Sequence, residues 1–169
     1  MNEIFIHPSA LFILGGLLIP FLRGRGKQCY MVIVALFAFL AIVIMPQGTH
    51  GIYEFLDWNL IFGNVDKLSK VFAYIFSIMG IIGIIYSIHV DNNGEILAAF
   101  FYVGGALGVT LAGDYLTLFL FWELMAFSSV FLILYRKTEA SVKISFRYLL
   151  WHVAGGLILL AGIIIKYNL

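Results

Sequence analysis

The sequence of 169 residues has few charged side chains and a single cysteine. Charged residues make up 11% of it and their formal net charge is +1, which argues against a nucleic acid or another polyanion as partner. Because Cys29 is the only cysteine, an intramolecular disulfide and a cysteine-ligated cluster are excluded. Apolar residues, in contrast, make up 63% of the chain. This composition is typical of an integral membrane protein.

The N-terminal segment also lacks the basic residues that precede the apolar run of a cleavable signal peptide. Here the apolar run comes first, and Arg23, Arg25 and Lys27 follow it. That order predicts an uncleaved first helix whose N-terminus lies outside the cell.

Apolar runs recur along the whole chain and predict an all-α polytopic integral membrane bundle in a single membrane domain, residues 1–169. About six transmembrane helices are expected, over about residues 4–22, 29–45, 66–90, 96–112, 115–135 and 144–165. Residues 49–65 mix polar and aromatic side chains and predict a short hairpin or surface turn at the membrane interface. Since no soluble domain remains for substrate chemistry, we expect a non-catalytic membrane subunit.

The basic residues give the orientation of these helices. They cluster between the first and second helices and between the fifth and sixth, which lie on the same side of a six-helix bundle. By the positive-inside rule that side is the cytoplasm, so both termini of this multi-pass cell-membrane protein are predicted to lie outside. The second cluster consists of Arg136, Lys137, Lys143 and Arg147.

Glu123 is the residue most suggestive of function. It lies about eight residues inside the apolar fifth helix, or roughly 12 Å from its start. A charged side chain near the bilayer centre costs on the order of 2.5 to 3.5 kcal/mol, so a carboxylate there normally faces a bundle interior or a hydrated path. Proton or ion handling is therefore the first hypothesis. The alternative is an uncharged glutamate that only holds two helices together.

Two residues of the sixth helix are candidates to act with Glu123. His152 suits a proton relay, because imidazole has an ordinary pKa of about 6.5; the alternative is a histidine that bonds a backbone or hydroxyl group. Arg147 either acts on Glu123 electrostatically or only extends its charge to the membrane surface. Counting along both helices puts Glu123 and His152 roughly 8 Å apart in depth, so a water or side chain would have to bridge them.

Other polar and small residues receive structural interpretations. Gly104 and Gly108 have the small-x-x-x-small spacing that lets helices approach closely in lipid. Asp114 is expected to cap the fifth helix, with a place at the mouth of a path as the alternative. His152 is the only histidine expected deep in the bundle, and an electron-transfer haem usually needs two. We therefore expect no haem, flavin, iron-sulfur cluster or metal in this chain.

Three segments resemble a known family. The runs GDYLTLFLFWELMAFSSVFLILYR and SFRYLLWHVAGGLILLAGIIIKY are similar to helices 5 and 6 of the antiporter-like proteins, and NVDKLSKVFAYIFSIMGIIGIIYS resembles their helix 3. These proteins are the proton-conducting membrane subunits shared by complex I, Mrp-type sodium/proton antiporters and energy-converting membrane hydrogenases. The order and spacing of the segments also match, so the resemblance covers nearly the whole chain.

The resemblance implies a role for Glu123 in a proton path, where the family's helix 5 glutamate pairs with a lysine on helix 7. Helix 7 has no counterpart in these 169 residues. Arg147 stands where family members often carry a lysine, and arginine does not release a proton in practice, so a fixed electrostatic role is implied for it.

The resemblance further implies a split or truncated antiporter-like subunit within a redox-driven proton/sodium pump or an Mrp-type antiporter. Other membrane subunits would be its partners, and one of them would supply the lysine-bearing helices. The alternatives are a structural membrane-arm subunit without its own proton path and an independent small transporter.

Overall fold

The computed structural model describes residues 5–55 and 58–168, and its elements follow one another without long connections. Within these residues the chain forms six α-helices and one pair of β-strands. Their bounds are α1 Pro8–Leu18, extended by a 3-10 turn at Ile19–Phe21, α2 Gly24–Ile44, β1 Gly48–Phe55, β2 Trp58–Val65, α3 Lys67–Tyr86, extended by a 3-10 turn at Ser87–His89, α4 Asn93–Leu111, α5 Tyr115–Leu134 and α6 Glu139–Asn168.

The predicted all-α polytopic membrane fold is confirmed. Of the described helices, α2 to α6 are long and apolar enough to cross a membrane, whereas α1 with its 3-10 extension is shorter. The predicted first helix, residues 4–22, is described from Pro8 onward, and Ile4 lies outside the described residues. Pro8 takes the first helical position, where its missing N–H would have had no helical partner.

Two helices begin earlier than predicted because their first turns are polar. Helix α2 begins at Gly24 and not near residue 29, and α6 begins at Glu139 and not near residue 144. At the start of α6, the Thr138 N–H donates to the Ser141 hydroxyl and the Ser141 N–H donates to the Thr138 hydroxyl, both over 3.0 Å. This reciprocal capping fixes a helix start that a search for apolar residues does not detect.

Helix α4 contacts α1, α3 and α5, and its glycines allow the close helix packing that the sequence predicted. Gly104 lies so close to α1 that an added Cβ would come within 3.2 Å of the Phe12 Cβ. On another side of α4, Gly108 packs against the ring of Phe121 on α5, and Gly105 against Met125. The small-residue spacing therefore serves close helix packing, which places α5 firmly against the buried core.

Lysine side chains tie the ends of α2 and α3 together. At the start of α2, buried Lys27 donates to the Asn93 side-chain oxygen over 3.1 Å and to the Val90 carbonyl over 3.4 Å. At the opposite end, Lys70 donates to the carbonyl oxygens of Val43 and Met45 over 3.1 and 2.8 Å. Carbonyl oxygens near a helix C-terminus have no N–H donor within the helix, and the lysine ammonium groups donate hydrogen bonds to them instead.

The predicted hairpin is present as antiparallel strands β1 and β2, paired from Gly48–Val65 to Phe55–Trp58. Strand β2 is bound to the bundle at two neighbouring residues. The His7 Nε2 lies 2.8 Å from the Phe62 carbonyl oxygen, and the Ile61 N–H donates to the Asp114 carboxylate over 2.6 Å. The hairpin is thus held against the start of α5.

Asp114 is the cap that the sequence predicted, and it also anchors the hairpin. Its Oδ1 accepts the N–H groups of Leu116 and Thr117, both over 2.9 Å, while its Oδ2 accepts from Ile61. One carboxylate therefore fixes both where α5 begins and where β2 lies.

Replacing Asp114 should separate these two functions. We expect Asp114→Ala to lower the free energy of unfolding by about 2 kcal/mol, because the cap is lost and the Ile61 N–H loses its acceptor. Asp114→Asn should cost less, since asparagine is also a good N-cap. Thermal unfolding in detergent would measure both, with Asp91→Ala in an exposed loop as the control. Equal stability of Asp114→Ala and Asp91→Ala would contradict the assignment.

Candidate functional site

Glu123 lies at the contact between α5 and α6. Its Oε1 occupies the space that a side chain at Gly156 would need, so the carboxyl group rests directly against the α6 backbone. Thr117 and Ser128, in contrast, are buried on another face of α5, and the Ser128 hydroxyl donates to the Leu124 carbonyl over 2.6 Å. Glu123 therefore lies on a different face of α5 from Thr117 and Ser128.

The Glu123 Oε1 is buried and has no hydrogen-bond partner among the described residues. No lysine, arginine or histidine in residues 5–55 and 58–168 forms an ion pair with it. A buried carboxylate without a partner is costly, whereas the uncharged acid is tolerated far better. A cation that pairs with Glu123 would have to come from outside the described residues.

His152 lies one turn from the Glu123 contact point. It precedes Gly156 by four residues, which is about 6 Å along the helix. No hydrogen bond joins His152 to Glu123 among the described residues, and the imidazole packs on the Tyr148 ring, with centroids 4.4 Å apart. The two candidates therefore share one helix interface without a direct hydrogen bond, and the separation estimated from the sequence stays a prediction.

Arg147 is not brought to Glu123. It precedes Gly156 by nine residues, which is half a rotation about the helix axis and about 13 Å along it. Its side chain is exposed and forms no ion pair with any described residue. A direct pair with Glu123 is absent from this arrangement, and a longer-range electrostatic effect stays a prediction.

An open cleft of about 630 Å³ lies beside the α5–α6 contact. It is lined by Trp122 on α5 and by Tyr148, Trp151, His152 and Gly156 on α6. Helix α6 packs chiefly against α5, and its outer face is uncovered, with Trp151 80% exposed. The cleft therefore lies between the two helices that carry the candidate residues and opens away from the core.

Sequence reasoning did not find three residues of this interface. Gly156 receives the Glu123 carboxyl, and the Ser129 hydroxyl donates to the Tyr148 hydroxyl over 3.1 Å. The available signal was the spacing of Tyr148, His152 and Gly156, which lie four residues apart and hence on one face of α6.

Comparisons with known proteins agree with this description. Residues 112–169 match the model of the family described as NADH:quinone oxidoreductase/Mrp antiporter, TM. A Na(+)/H(+) antiporter subunit A1 from Staphylococcus aureus (strain bovine RF122 / ET3-1) is 32% identical over 167 residues, covering 88% of this chain and 21% of the relative. The subunit A1 of Staphylococcus haemolyticus (strain JCSC1435) is also 32% identical with the same coverage.

The fold is also found in a solved structure. A chain of the membrane-bound sulfane sulfur reductase, an archaeal respiratory membrane complex, superimposes with a TM-score of 0.80 at 19% identity. The match covers 95% of this chain and 36% of that one. The chain spans about a fifth of the length of the curated relatives it matches.

The structure is thus a polytopic helical membrane bundle that keeps a carboxyl group at the contact of two apolar helices. Its sequence matches, over residues 112–169 and in the subunit A1 relatives, connect it with the antiporter-like membrane subunits, the family that its third, fifth and sixth helices resemble.

The contact between Glu123 and Gly156 can be tested by adding one methyl group. We expect Gly156→Ala to displace the Glu123 carboxyl and to destabilise the bundle, but to be neutral or stabilising when Glu123 is also alanine. A double-mutant cycle from unfolding in detergent should give an interaction energy of about 1 kcal/mol.

Gly162→Ala, also on α6, is the matched control for this cycle, because an added Cβ there meets no atom within 4 Å. Alanine at that position should stabilise the helix by about 0.5 to 1 kcal/mol in either background. Identical effects of the two glycine substitutions would show that Glu123 does not occupy the space at Gly156.

Proposed function

We propose that this chain is a membrane subunit of a multi-subunit ion-translocating complex and that Glu123 is part of a proton path in it. The complex is either a redox-driven proton/sodium pump or an Mrp-type antiporter. The observation that carries the proposal is the buried Glu123 oxygen without a partner, held at a helix contact inside an apolar bundle. Such a group gains or loses a proton when a cation approaches or leaves it.

A neighbouring membrane subunit supplies that cation in this proposal. The resemblance implies a lysine on a helix that follows the sixth, and the relatives are about five times longer than this chain. The cleft at the α5–α6 contact is lined by Gly156, which the Glu123 carboxyl contacts, and by the exposed Trp151. A lysine-bearing helix packed there would bring its ammonium group to the carboxyl and would cover Trp151.

The orientation belongs to the proposal as well. With the basic ends of the helices in the cytoplasm, the hairpin and the α4–α5 turn lie outside, and both termini do too. The bond from Ile61 to Asp114 supports the placement of the hairpin and the start of α5 on one side of the membrane. Tyr148 and His152 then lie between Glu123 and the cytoplasm.

A structural membrane-arm subunit is the second candidate, and one observation favours it. The Glu123 carboxyl lies against α6 at Gly156 and pairs with no cation among the described residues, so its side chain could simply join α5 to α6. The two candidates predict different results when the ionisable group is removed: proton translocation should fall if Glu123 is in a proton path and should be unchanged if Glu123 is only structural.

The deciding variant is Glu123→Gln in the complete complex, assayed in sealed native membrane vesicles. Glutamine keeps the size of the side chain but carries no titratable proton, so assembly should be retained while proton translocation falls at least about tenfold. Glu139→Gln, at the exposed start of α6, is the matched control and should leave translocation unchanged. Full assembly with normal translocation in Glu123→Gln would refute the proton path and support the structural subunit.

A further inference from the structure

A pair of hydroxyl groups connects α5 to α6 on the side of His152 that faces away from Glu123. The Ser129 hydroxyl on α5 lies 3.1 Å from the Tyr148 hydroxyl on α6, and the Tyr148 ring lies against His152. On α6, Tyr148, His152 and Gly156 follow one another at intervals of one turn on one face. Polar groups therefore continue along the helix contact from the Glu123 carboxyl toward the first half of α6.

The Ser129 proton has two acceptors and can serve only one of them at a time. The Ala126 carbonyl oxygen lies 2.6 Å from the Ser129 oxygen, and the Tyr148 oxygen lies 3.1 Å from it. When Ser129 donates to the carbonyl, Tyr148 is free to donate to Ser129; when Ser129 donates to Tyr148, the tyrosine proton is free to point elsewhere. The direction of this hydroxyl pair is reversible, which is what proton transfer through hydroxyls requires.

His152 is placed to receive a proton from this pair. Its imidazole is half-buried beside the Tyr148 ring, and neither ring nitrogen is hydrogen-bonded to another described residue. The imidazole also lines the adjoining cleft, together with Tyr148 and Gly156.

We propose that Ser129 and Tyr148 are the outer section of a proton relay that continues through His152 to Glu123. This inference rests on the proposed function of Glu123. A proton arriving at the Ser129 oxygen releases that hydroxyl's own proton to the Tyr148 oxygen, and Tyr148 passes its proton through water to one His152 nitrogen. The other nitrogen returns a proton through water to the Glu123 carboxylate. Each relay group ends with its original number of protons, and the hydroxyls then rotate back.

Packing alone does not account for the tyrosine oxygen. Phenylalanine would fill the same space beside His152, and it would leave no hydroxyl in an apolar helix contact that needs a partner on the facing helix. Tyr148→Phe therefore removes the proposed function while keeping the ring. Tyr102→Phe is the matched control, because Tyr102 lies in a membrane-crossing helix and its hydroxyl has no partner among the described residues.

The test measures proton translocation by the assembled complex in sealed vesicles, with subunit content checked in each preparation. We expect Tyr148→Phe and Ser129→Ala each to slow translocation by about tenfold, because each removes one step of the relay. The double variant should be no slower than either single one, and Ser129→Thr, which restores a hydroxyl, should recover the rate. Tyr102→Phe should behave like the wild type.

Three outcomes would overturn the relay. Wild-type rates in Tyr148→Phe and Ser129→Ala, while Glu123→Gln is inactive, would leave the Glu123 path standing and remove the hydroxyl pair from it. Wild-type rates in Glu123→Gln would refute both proposals. If Tyr148→Phe failed to assemble, the serine variants would decide, and equal slowing in Ser129→Ala and Ser129→Thr would show that packing and not the hydroxyl matters.

Discussion

The structure depends on one constraint, that polar groups inside an apolar bundle must find partners within the protein. At the helix ends the constraint is met by side chains. Asp114 caps α5 and binds β2. Lys70 donates to a carbonyl oxygen at the end of α2, and Lys27 donates to the Val90 carbonyl oxygen after α3. Four buried side-chain oxygens are unpaired within the described residues, those of Ser9, Ser77, Thr117 and Glu123, and Glu123 is the only ionisable residue among them. Side-chain hydrogen bonds therefore fix the ends of the helices, whereas the Glu123 carboxyl, farther along α5, has an oxygen without a hydrogen bond.

The packing of the bundle explains how such a group is held in place. Glycines of α4 let α5 approach the core, so α5 cannot move away from it without losing close contacts. Gly156 on α6 has a different role, because the side chain that it lacks leaves space for the Glu123 carboxyl. Because α6 packs chiefly on α5, its other side remains open to a further helix. Helix α5 is thus held firmly against α4, and the uncovered side of α6 leaves room for a helix of another subunit that could approach Glu123, as the proposed proton path requires.

Much of this fold could be predicted from the sequence because membrane helices are marked by their apolar runs. The hairpin, the Asp114 cap and the glycine contacts of α4 followed from residue types alone. The starts of α2 and α6 did not, since polar first turns such as Thr138–Ser141 are fixed by side-chain capping and not by hydropathy. The contact of Glu123 with Gly156 on α6 was also not predicted, because a glycine in the sequence does not indicate which side chain occupies the space next to it.

The central claim is that the Glu123 carboxyl changes its protonation state during ion translocation. Infrared difference spectroscopy on the assembled complex during turnover measures this directly, through the stretching band of a protonated carboxyl group. The account predicts a carboxyl band that changes between resting and active states and is missing in Glu123→Gln. A difference spectrum identical in the wild type and Glu123→Gln would contradict it, because Glu123 would then keep one protonation state throughout.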